Sequence, residues 1–199
     1  MKERSILFNG EMVKAILDGR KTQTRRVIKP QPNCQLVHGC GDIWDEDNLT
    51  RKLFYCKYGQ PGDRLWVRET ASVSVWQPAS REIELTYLAD GNTWQGVLPE
   101  RLKWKPKCGV GVPNGIFKEA ARIFLKITAV RVERVQDISE EDVKAEGAKD
   151  LYEGLSYHPP GYPINCQENF LALWNSIYEK RSYGVDVNPW VWVYEFKKV

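Results

Sequence analysis

Apolar and polar positions alternate most regularly between residues 122 and 135. Leu125 and Ile127 stand on either side of Lys126, and the period of two continues through the valines that follow. Successive side chains of a strand point to opposite faces, so this alternation predicts a strand with one buried face. Shorter stretches of the same kind predict further strands at residues 5–8, 22–28, 64–69, 83–88 and 190–196.

Three stretches carry helix signals. Residues 165–177 have an apolar stripe at helical spacing, formed by Phe170, Leu173, Trp174 and Ile177. Residues 11–18 show the same spacing over two turns, and Gly19 ends that helix. Ser139 precedes three consecutive acids, an arrangement that caps a helix and suits its positive N-terminal end.

Several non-adjacent strands and few helices predict an α+β fold. A doubly wound α/β chain would alternate strands and helices regularly, and this chain does not. We expect a mostly antiparallel β-barrel with flanking helices, in one domain that spans residues 1–199, because a closed sheet leaves no long strand with an exposed edge. Residues 33–60 and 89–118 show no clear period, so they are predicted to be long loops.

The composition is that of an ordinary globular protein, with 42% hydrophobic and 28% charged residues among 199. No stretch approaches the ~18 apolar residues that cross a bilayer. No apolar run follows a basic start, as it does in a secretory signal, so we expect a cytoplasmic protein with no membrane partner. Eight tryptophans are many for this length. They fit either a barrel core or a surface on which nucleobases stack.

Charge is distributed unevenly along the chain. Residues 14–29 hold six basic residues and one acid, a net charge of +5, whereas the whole chain carries only +3. Residues 136–153 hold seven acids and two lysines, a net charge of −5. The basic segment predicts a site for phosphate or nucleic acid, although a solvated charged face is the simpler interpretation. The opposite charges also predict that the two segments lie near each other.

Four stretches, in chain order, carry a family resemblance. They are residues 8–26 (with NGEM at 9–12 and GRKTQTRR at 19–26), 61–69 (PGDRLWVRE), 138–147 (with ISEED and AEG) and 188–196 (NPWVWVYEF). These stretches resemble the ASCH domain, and the chain is similar to the longer ASCH proteins of bacteriophages and prophages. The resemblance implies a PUA-like β-barrel with insertions at about residues 34–56, 75–118 and 148–164.

The resemblance also implies candidate catalytic residues. One bacterial ASCH enzyme hydrolyses the acetyl amide of N(4)-acetylcytidine, and by similarity to it Thr24 would be the nucleophile, Lys21 its base and Glu146 the acid partner. A threonine hydroxyl needs such a base, and burial or nearby cations can lower the pKa of a lysine far enough. Two features oppose this reading. Lys21 and Thr24 fall on opposite faces of a regular strand, and pairing with the acidic segment would raise the pKa of Lys21.

Charge and resemblance together indicate a nucleic-acid surface. PUA-like folds resemble one another in presenting a cleft for a base or RNA. Arginines there would contact phosphates, while a tryptophan stacks on a base. The predicted binding residues are Arg20, Lys21, Arg25, Arg26, Arg64, Trp66 and Arg68.

The cysteines do not predict a metal site. Cys34, His38, Cys40 and Cys56 lack the paired Cys-x2-Cys spacing of a zinc knuckle. An odd number of cysteines, five, also argues against a closed disulfide framework. We therefore expect reduced thiols, no bound zinc and no other cofactor.

The leading functional hypothesis is a protein that binds RNA or a modified nucleoside. One alternative is an enzyme, either an amidohydrolase on acylated cytidine or a ribonuclease, both of them activities that the ASCH resemblance implies. Another is a phage morphogenesis protein with no nucleotide role. Binding without turnover separates the first hypothesis from the second, and the third predicts neither binding nor turnover.

Overall fold

A computed structural model describes residues 1–32, 56–148 and 165–199, together with the backbone of three short strands between the first two ranges. The fold is α+β, as predicted. In chain order its elements are β1 (Glu3–Leu7), α1 (Gly10–Leu17), β2 (Gln23–Val27), β3 (Leu36–His38), β4 (Ile43–Asp45), β5 (Leu53–Phe54), β6 (Arg64–Arg68), β7 (Ala71–Gln77), β8 (Glu82–Tyr87), β9 (Thr93–Val97), β10 (Phe124–Arg134), α2 (Glu140–Ala145), α3 (Cys166–Tyr178) and β11 (Trp190–Lys198).

The chain divides into two compact units, and the division falls within β10. The first unit comprises Met1–Gly19, Gly62–Lys126 and Lys197–Val199. In it, β1 runs parallel to β6, and β6 pairs antiparallel with the start of β10. β7, β8 and β9 form an antiparallel meander. Its core is a cluster of buried aliphatic and aromatic side chains from these strands and from the segment before β10, among them Leu85 and Phe117.

The second unit comprises Arg20–Pro61 and Ile127–Phe196. Its strands lie in the order β10-β11-β2, with β11 antiparallel to β2. Both helices of this unit pack on one face of the sheet, because the apolar sides of α2 and α3 meet the valines of β11. The contacts join Val143, Phe170 and Trp174 to Val191 and Val193.

The helices begin where the sequence predicts. The side chains of Asn9, Ser139 and Asn165 each accept a backbone N–H three residues later, which satisfies one of the free donors of the first turn. None of the helices in the described residues is long and apolar enough to cross a bilayer.

The structure corrects two loop predictions. Residues 33–60 contain the short strands β3, β4 and β5, and residues 89–118 contain β9. All five residues of β9 are exposed or half-buried, which is why the sequence shows no apolar face there. β3, β4 and β5 span only two or three residues each, which is too short for a period of two to be recognised in the sequence.

Candidate functional site

The basic segment and the acidic segment meet in the second unit, as predicted, and form a set of interlocking ion pairs. We call this set the ionic cluster. Its members come from the stretch before β2, from β2 itself, from β10, α2 and β11, and they are Lys21, Arg25, Arg131, Glu133, Asp142, Glu146 and Glu195.

Lys21 is buried against the end of α2. Its Nζ donates to Glu146 Oε2 at 2.6 Å and to the Glu146 carbonyl oxygen at 2.7 Å. The neighbouring Thr22 N–H donates to the Ala145 carbonyl at 2.8 Å, which fixes the chain against the helix end. Burial lowers the pKa of Lys21, and the attraction of Glu146 only partly opposes it. Pairing with Glu146 thus acts upward on this pKa, as expected, but the loss of hydration outweighs it and the net direction is downward.

Arg25 is the most heavily bonded member of the cluster. It is 2% exposed. Its guanidinium donates to Asp142 Oδ2 at 2.8 Å, to Glu146 Oε1 at 3.2 Å and, through Nε, to Glu133 Oε1 at 2.8 Å. The guanidinium carbon also lies 5.9 Å from the centre of the Phe170 ring. A guanidinium with its hydrogen bonds taken up inside the protein is not available for a phosphate.

Asp142 joins two arginines within the cluster. Arg131 donates to its Oδ2 at 2.6 Å, and Arg25 donates to the same oxygen. Partial burial by itself would raise the pKa of Asp142, but the hydrogen bond from Arg131 and the charge of Arg25 outweigh it and lower that pKa. Asp142 therefore stays ionised and anchors the first turn of α2 to the sheet.

Thr24 lies on the other face of β2 from Arg25, because adjacent strand residues alternate. It pairs with Tyr194 across the sheet and is 1% exposed. Its hydroxyl is buried and has no hydrogen-bond partner among the described residues. The structure thus joins Lys21 and Glu146, and it places no hydrogen bond between the Thr24 hydroxyl and the Lys21 amine.

A cavity of about 350 Å³ opens in the same unit, beside β2. We call it the aromatic pocket. β2 and the residues after it, the turn at 57–58, the end of α3 and β11 contribute its lining, which consists of Arg26, Val27, Lys29, Lys57, Tyr58, Tyr178, Arg181, Trp192 and Tyr194. Arg26 is the one predicted binding residue among them.

The lining of the aromatic pocket is strongly cationic. Arg26, Lys29, Lys57 and Arg181 contribute four positive charges, and none of the lining residues within the described part of the chain is Asp or Glu. Lys29, Lys57 and Arg181 are exposed. Because the described lining has four basic residues and no acidic one, the pocket has the electrostatic character of an anion site.

The aromatic side chains of the pocket are held in place by their neighbours. Tyr58 meets Tyr194 edge to face, with ring centres 5.4 Å apart. Tyr194 is fully buried, and its hydroxyl lies 3.2 Å from the Cys56 sulfur. Burial raises the pKa of Tyr194, so its hydroxyl stays protonated. Tyr178 packs on Trp174, with ring centres 4.3 Å apart. Tyr58 and Tyr178 are half-buried and can present ring surface to a ligand.

The remaining predicted binding residues lie elsewhere. Arg20 donates to the Gly147 carbonyl at 3.1 Å. Arg64, Trp66 and Arg68 belong to the first unit, on the side of β6 opposite its buried Leu65 and Val67. Arg68 donates to the Asn114 carbonyl at 2.8 Å, and Trp66 lines a separate cavity of about 250 Å³.

The prediction that Cys34, His38, Cys40 and Cys56 bind no zinc lies partly outside the described residues. Cys34 and Cys40 are not described, and nothing can be said of the His38 side chain. Within the described residues, no group of three or more potential metal-binding side chains occurs. The absence of zinc stays a prediction.

Sequence reasoning did not find most of the aromatic pocket. Lys57 and Tyr58 lie at the end of a stretch without periodicity, and Tyr178 and Arg181 lie at and just beyond the end of α3. One signal was present in β11, where Trp192 and Tyr194 share a strand face with each other and with Thr24 and Arg26 of β2 through the observed register.

Comparisons with known proteins add little. No family model matches the chain, and no curated protein matches it. One solved structure, hypothetical protein PH0355, is similar over 100% of both chains, with 13% identity and a TM-score of 0.38. A likeness at that level carries no argument about fold or function.

Proposed function

We propose that this chain is an ASCH-type protein with a PUA-like barrel that binds RNA or a modified nucleoside in the aromatic pocket. One observation carries the proposal: four cationic and four aromatic side chains line a single cavity without an acid among the described lining residues. Proteins bind unpaired nucleotides by stacking bases on aromatic rings while basic groups contact phosphates.

The ionic cluster is the weaker candidate for this role. Its lysine and arginines face carboxylates within hydrogen-bonding distance, and Lys21 and Arg25 are both 2% exposed. An RNA phosphate would have to replace those carboxylates. Arg26 and Lys29 belong to the same basic stretch of sequence but line the aromatic pocket, so they link the predicted basic segment to the proposed site.

Titration with a short single-stranded RNA tests this function. We expect affinity that falls as salt rises, since each phosphate contact releases counterions. Tyr58→Ala should weaken binding by about 1–3 kcal/mol, the contribution of one stacked base. Tyr58→Phe keeps the ring and should bind nearly as wild type does. Absence of salt-dependent binding, or equal effects of the two variants, would contradict the proposal.

A second candidate function is amide hydrolysis on an acylated cytidine. The buried Lys21 favours it, because burial lowers the pKa of this amine and brings it nearer to that of a general base. In that reaction the Thr24 oxygen attacks the acetyl carbon and its proton passes to Lys21. The C–N bond breaks as Lys21 passes that proton to the leaving nitrogen, which departs as the amine of cytidine, and water then hydrolyses the threonine ester to release acetate.

Incubation with N(4)-acetylcytidine tests the second candidate. Wild type should release cytidine, and Thr24→Val should release none, because valine has the shape of threonine without the attacking oxygen. Lys21→Arg should also be inactive, since a guanidinium does not give up its proton near neutral pH. If wild type releases no cytidine, or if Thr24→Val retains the activity, this candidate is wrong.

A further inference from the structure

We infer that the aromatic pocket selects an unpaired nucleotide that carries a phosphate, and that it discriminates against both neutral nucleosides and base-paired RNA. The inference rests on the proposed function and narrows its ligand class. Three features of the pocket carry it: its uncompensated charge, its size and the fixed position of its rings.

The charge of the pocket requires an anion. Lys29, Lys57 and Arg181 reach it from three separate segments, and the structure gives none of the three an ion pair with a carboxylate in the described part of the chain. Gathering like charges around one cavity raises their mutual repulsion. A phosphate relieves that repulsion and gains hydrogen bonds from the same groups, whereas a neutral nucleoside does neither.

Two of these cations also lie close to aromatic rings. The Lys57 Nζ is 5.7 Å from the centre of the Tyr58 ring, and the Lys29 Nζ is 4.9 Å from the centre of the Tyr183 ring. Such contacts hold a lysine near a ring face without neutralising it. At Lys57, a positive charge and an aromatic ring therefore lie next to each other, as a ligand with a phosphate and a base requires.

The size of the pocket restricts the ligand to one nucleotide at a time. A cavity of about 350 Å³ is near the lower end of the range for small-molecule sites. Bases within a duplex are stacked and paired, so their faces cannot reach a ring inside such a cavity. A free mononucleotide and an unpaired residue of a single strand share the chemistry that fits.

The rings are already fixed before any ligand arrives. Tyr58 is held by the edge of Tyr194, which is 0% exposed, and Tyr178 is held by Trp174, which is 4% exposed. Binding therefore costs little side-chain ordering, and the stacking energy is retained as affinity. The same rigidity limits adaptation to a broader ligand such as a base pair.

Four ligands test the inference by calorimetric titration at low salt. They are cytidine, cytidine 5′-monophosphate, a mixed-sequence single-stranded RNA and the blunt duplex formed from that strand and its complement. We expect the monophosphate to bind at least about tenfold more tightly than cytidine, which corresponds to about 1.4 kcal/mol. The single strand should bind at least about tenfold more tightly than the duplex.

A double variant, Lys57→Gln with Arg181→Gln, supplies the structural control. Both side chains are exposed, so the variant should fold, which its urea unfolding curve will verify. It should reduce the preference for monophosphate over cytidine to within about twofold, because two phosphate contacts are lost. Lys180→Gln lies next to Arg181, outside the pocket lining, and should keep the wild-type preference.

The outcomes separate the inference from the proposed function. Equal binding of cytidine and its monophosphate, equal binding of strand and duplex, or an unchanged preference in the double variant would each overturn the inference and leave RNA binding intact. Inorganic phosphate is titrated as a control, and binding as tight as that of the monophosphate would also overturn the inference, since the base would then contribute nothing. Failure of all four ligands to bind would overturn the proposed function itself. A single strand that binds more tightly than the monophosphate would identify RNA, rather than a free nucleotide, as the source of the ligand.

Discussion

Arg25 and Arg26 are neighbours in the chain, yet they lie in opposite electrostatic surroundings. Arg25 is buried among the carboxylates of the ionic cluster. Arg26 lines the aromatic pocket, where the described lining has no acid. The two side chains point to opposite faces of β2, one toward the helices and one away from them. The basic stretch therefore contributes both to the ionic cluster and to the aromatic pocket, and the alternation of side chains along β2 places each arginine in one of them.

A basic residue in the sequence can bind a ligand only if its charge is not already paired inside the protein. The basic segment predicts an anion site from its sequence, but Lys21 and Arg25 are paired inside the protein with carboxylates of β10, of α2 and of the residue that follows α2. A cation that lines a cavity can recruit a ligand, whereas a cation held by buried carboxylates cannot. Two of the four cations that line the aromatic pocket, Lys57 and Arg181, come from outside the basic segment.

Removing the lysine of the ionic cluster should have the largest effect. Lys21→Met leaves Glu146 with one fewer cation in a buried site, and breaking a buried pair in this way costs about 3–5 kcal/mol. Urea unfolding should report that loss. Lys144→Met is the matched control, because Lys144 pairs with Glu140 at 3.1 Å on the surface of α2. Such an exposed pair contributes little because water screens it, so Lys144→Met should lose much less stability than Lys21→Met. Equal losses in the two variants would show that the cluster is not a buried structural unit.

Removing the charge of Asp142 should have a smaller, pH-dependent effect. Asp142→Asn weakens two charged hydrogen bonds and should reduce the free energy of unfolding at pH 7 by about 1.5–3 kcal/mol. The pKa of Asp142 is lowered in the folded protein from its ordinary value of 3.8. Its carboxylate thus contributes stability above that pH, and the contribution disappears as the pH falls through the lowered folded pKa.

Urea unfolding of wild type and Asp142→Asn at pH 7, pH 5 and pH 3 measures this dependence. We expect the two proteins to differ most in their free energy of unfolding at pH 7 and pH 5, and to differ less at pH 3. If the difference in free energy of unfolding is the same at all three pH values, Asp142 acts through packing and not through its charge.

The smallest effect should come from Thr24, on the opposite face of β2 from the cluster. Its buried hydroxyl lacks a hydrogen-bond partner in the described residues, so the protein loses no bond when that oxygen is removed. Thr24→Val should leave the free energy of unfolding unchanged or raise it by up to about 1 kcal/mol. Thermal and urea unfolding will check this. Destabilisation beyond about 1 kcal/mol would show that the hydroxyl has a partner after all.

The sequence predicted the helices and most of the longer strands because their apolar spacing or caps are local, but it missed β7. It also predicted that the basic and acidic segments meet, as Lys21 and Glu146 do. It could not predict the rest of the cluster, since Arg131 and Glu195 lie on β10 and β11 and meet only through strand pairing. The aromatic pocket was missed for the same reason, because four separate segments form it.

The most direct test compares Arg25→Gln with Arg26→Gln in one set of measurements. For each variant, urea unfolding gives stability, and titration with single-stranded RNA at several salt concentrations gives affinity and its salt dependence. Arg25→Gln should lose about 3–5 kcal/mol of stability, as expected for a broken buried ion pair. Its folded fraction should keep the wild-type salt dependence of binding.

Arg26→Gln should behave in the opposite way. Its stability should stay within about 0.5 kcal/mol of wild type. Its RNA affinity should fall, and the slope of log affinity against log salt should decrease by about 1, the contribution of one phosphate contact. If Arg25→Gln instead flattens the salt dependence while Arg26→Gln leaves it unchanged, the assignment of the two faces of β2 is contradicted.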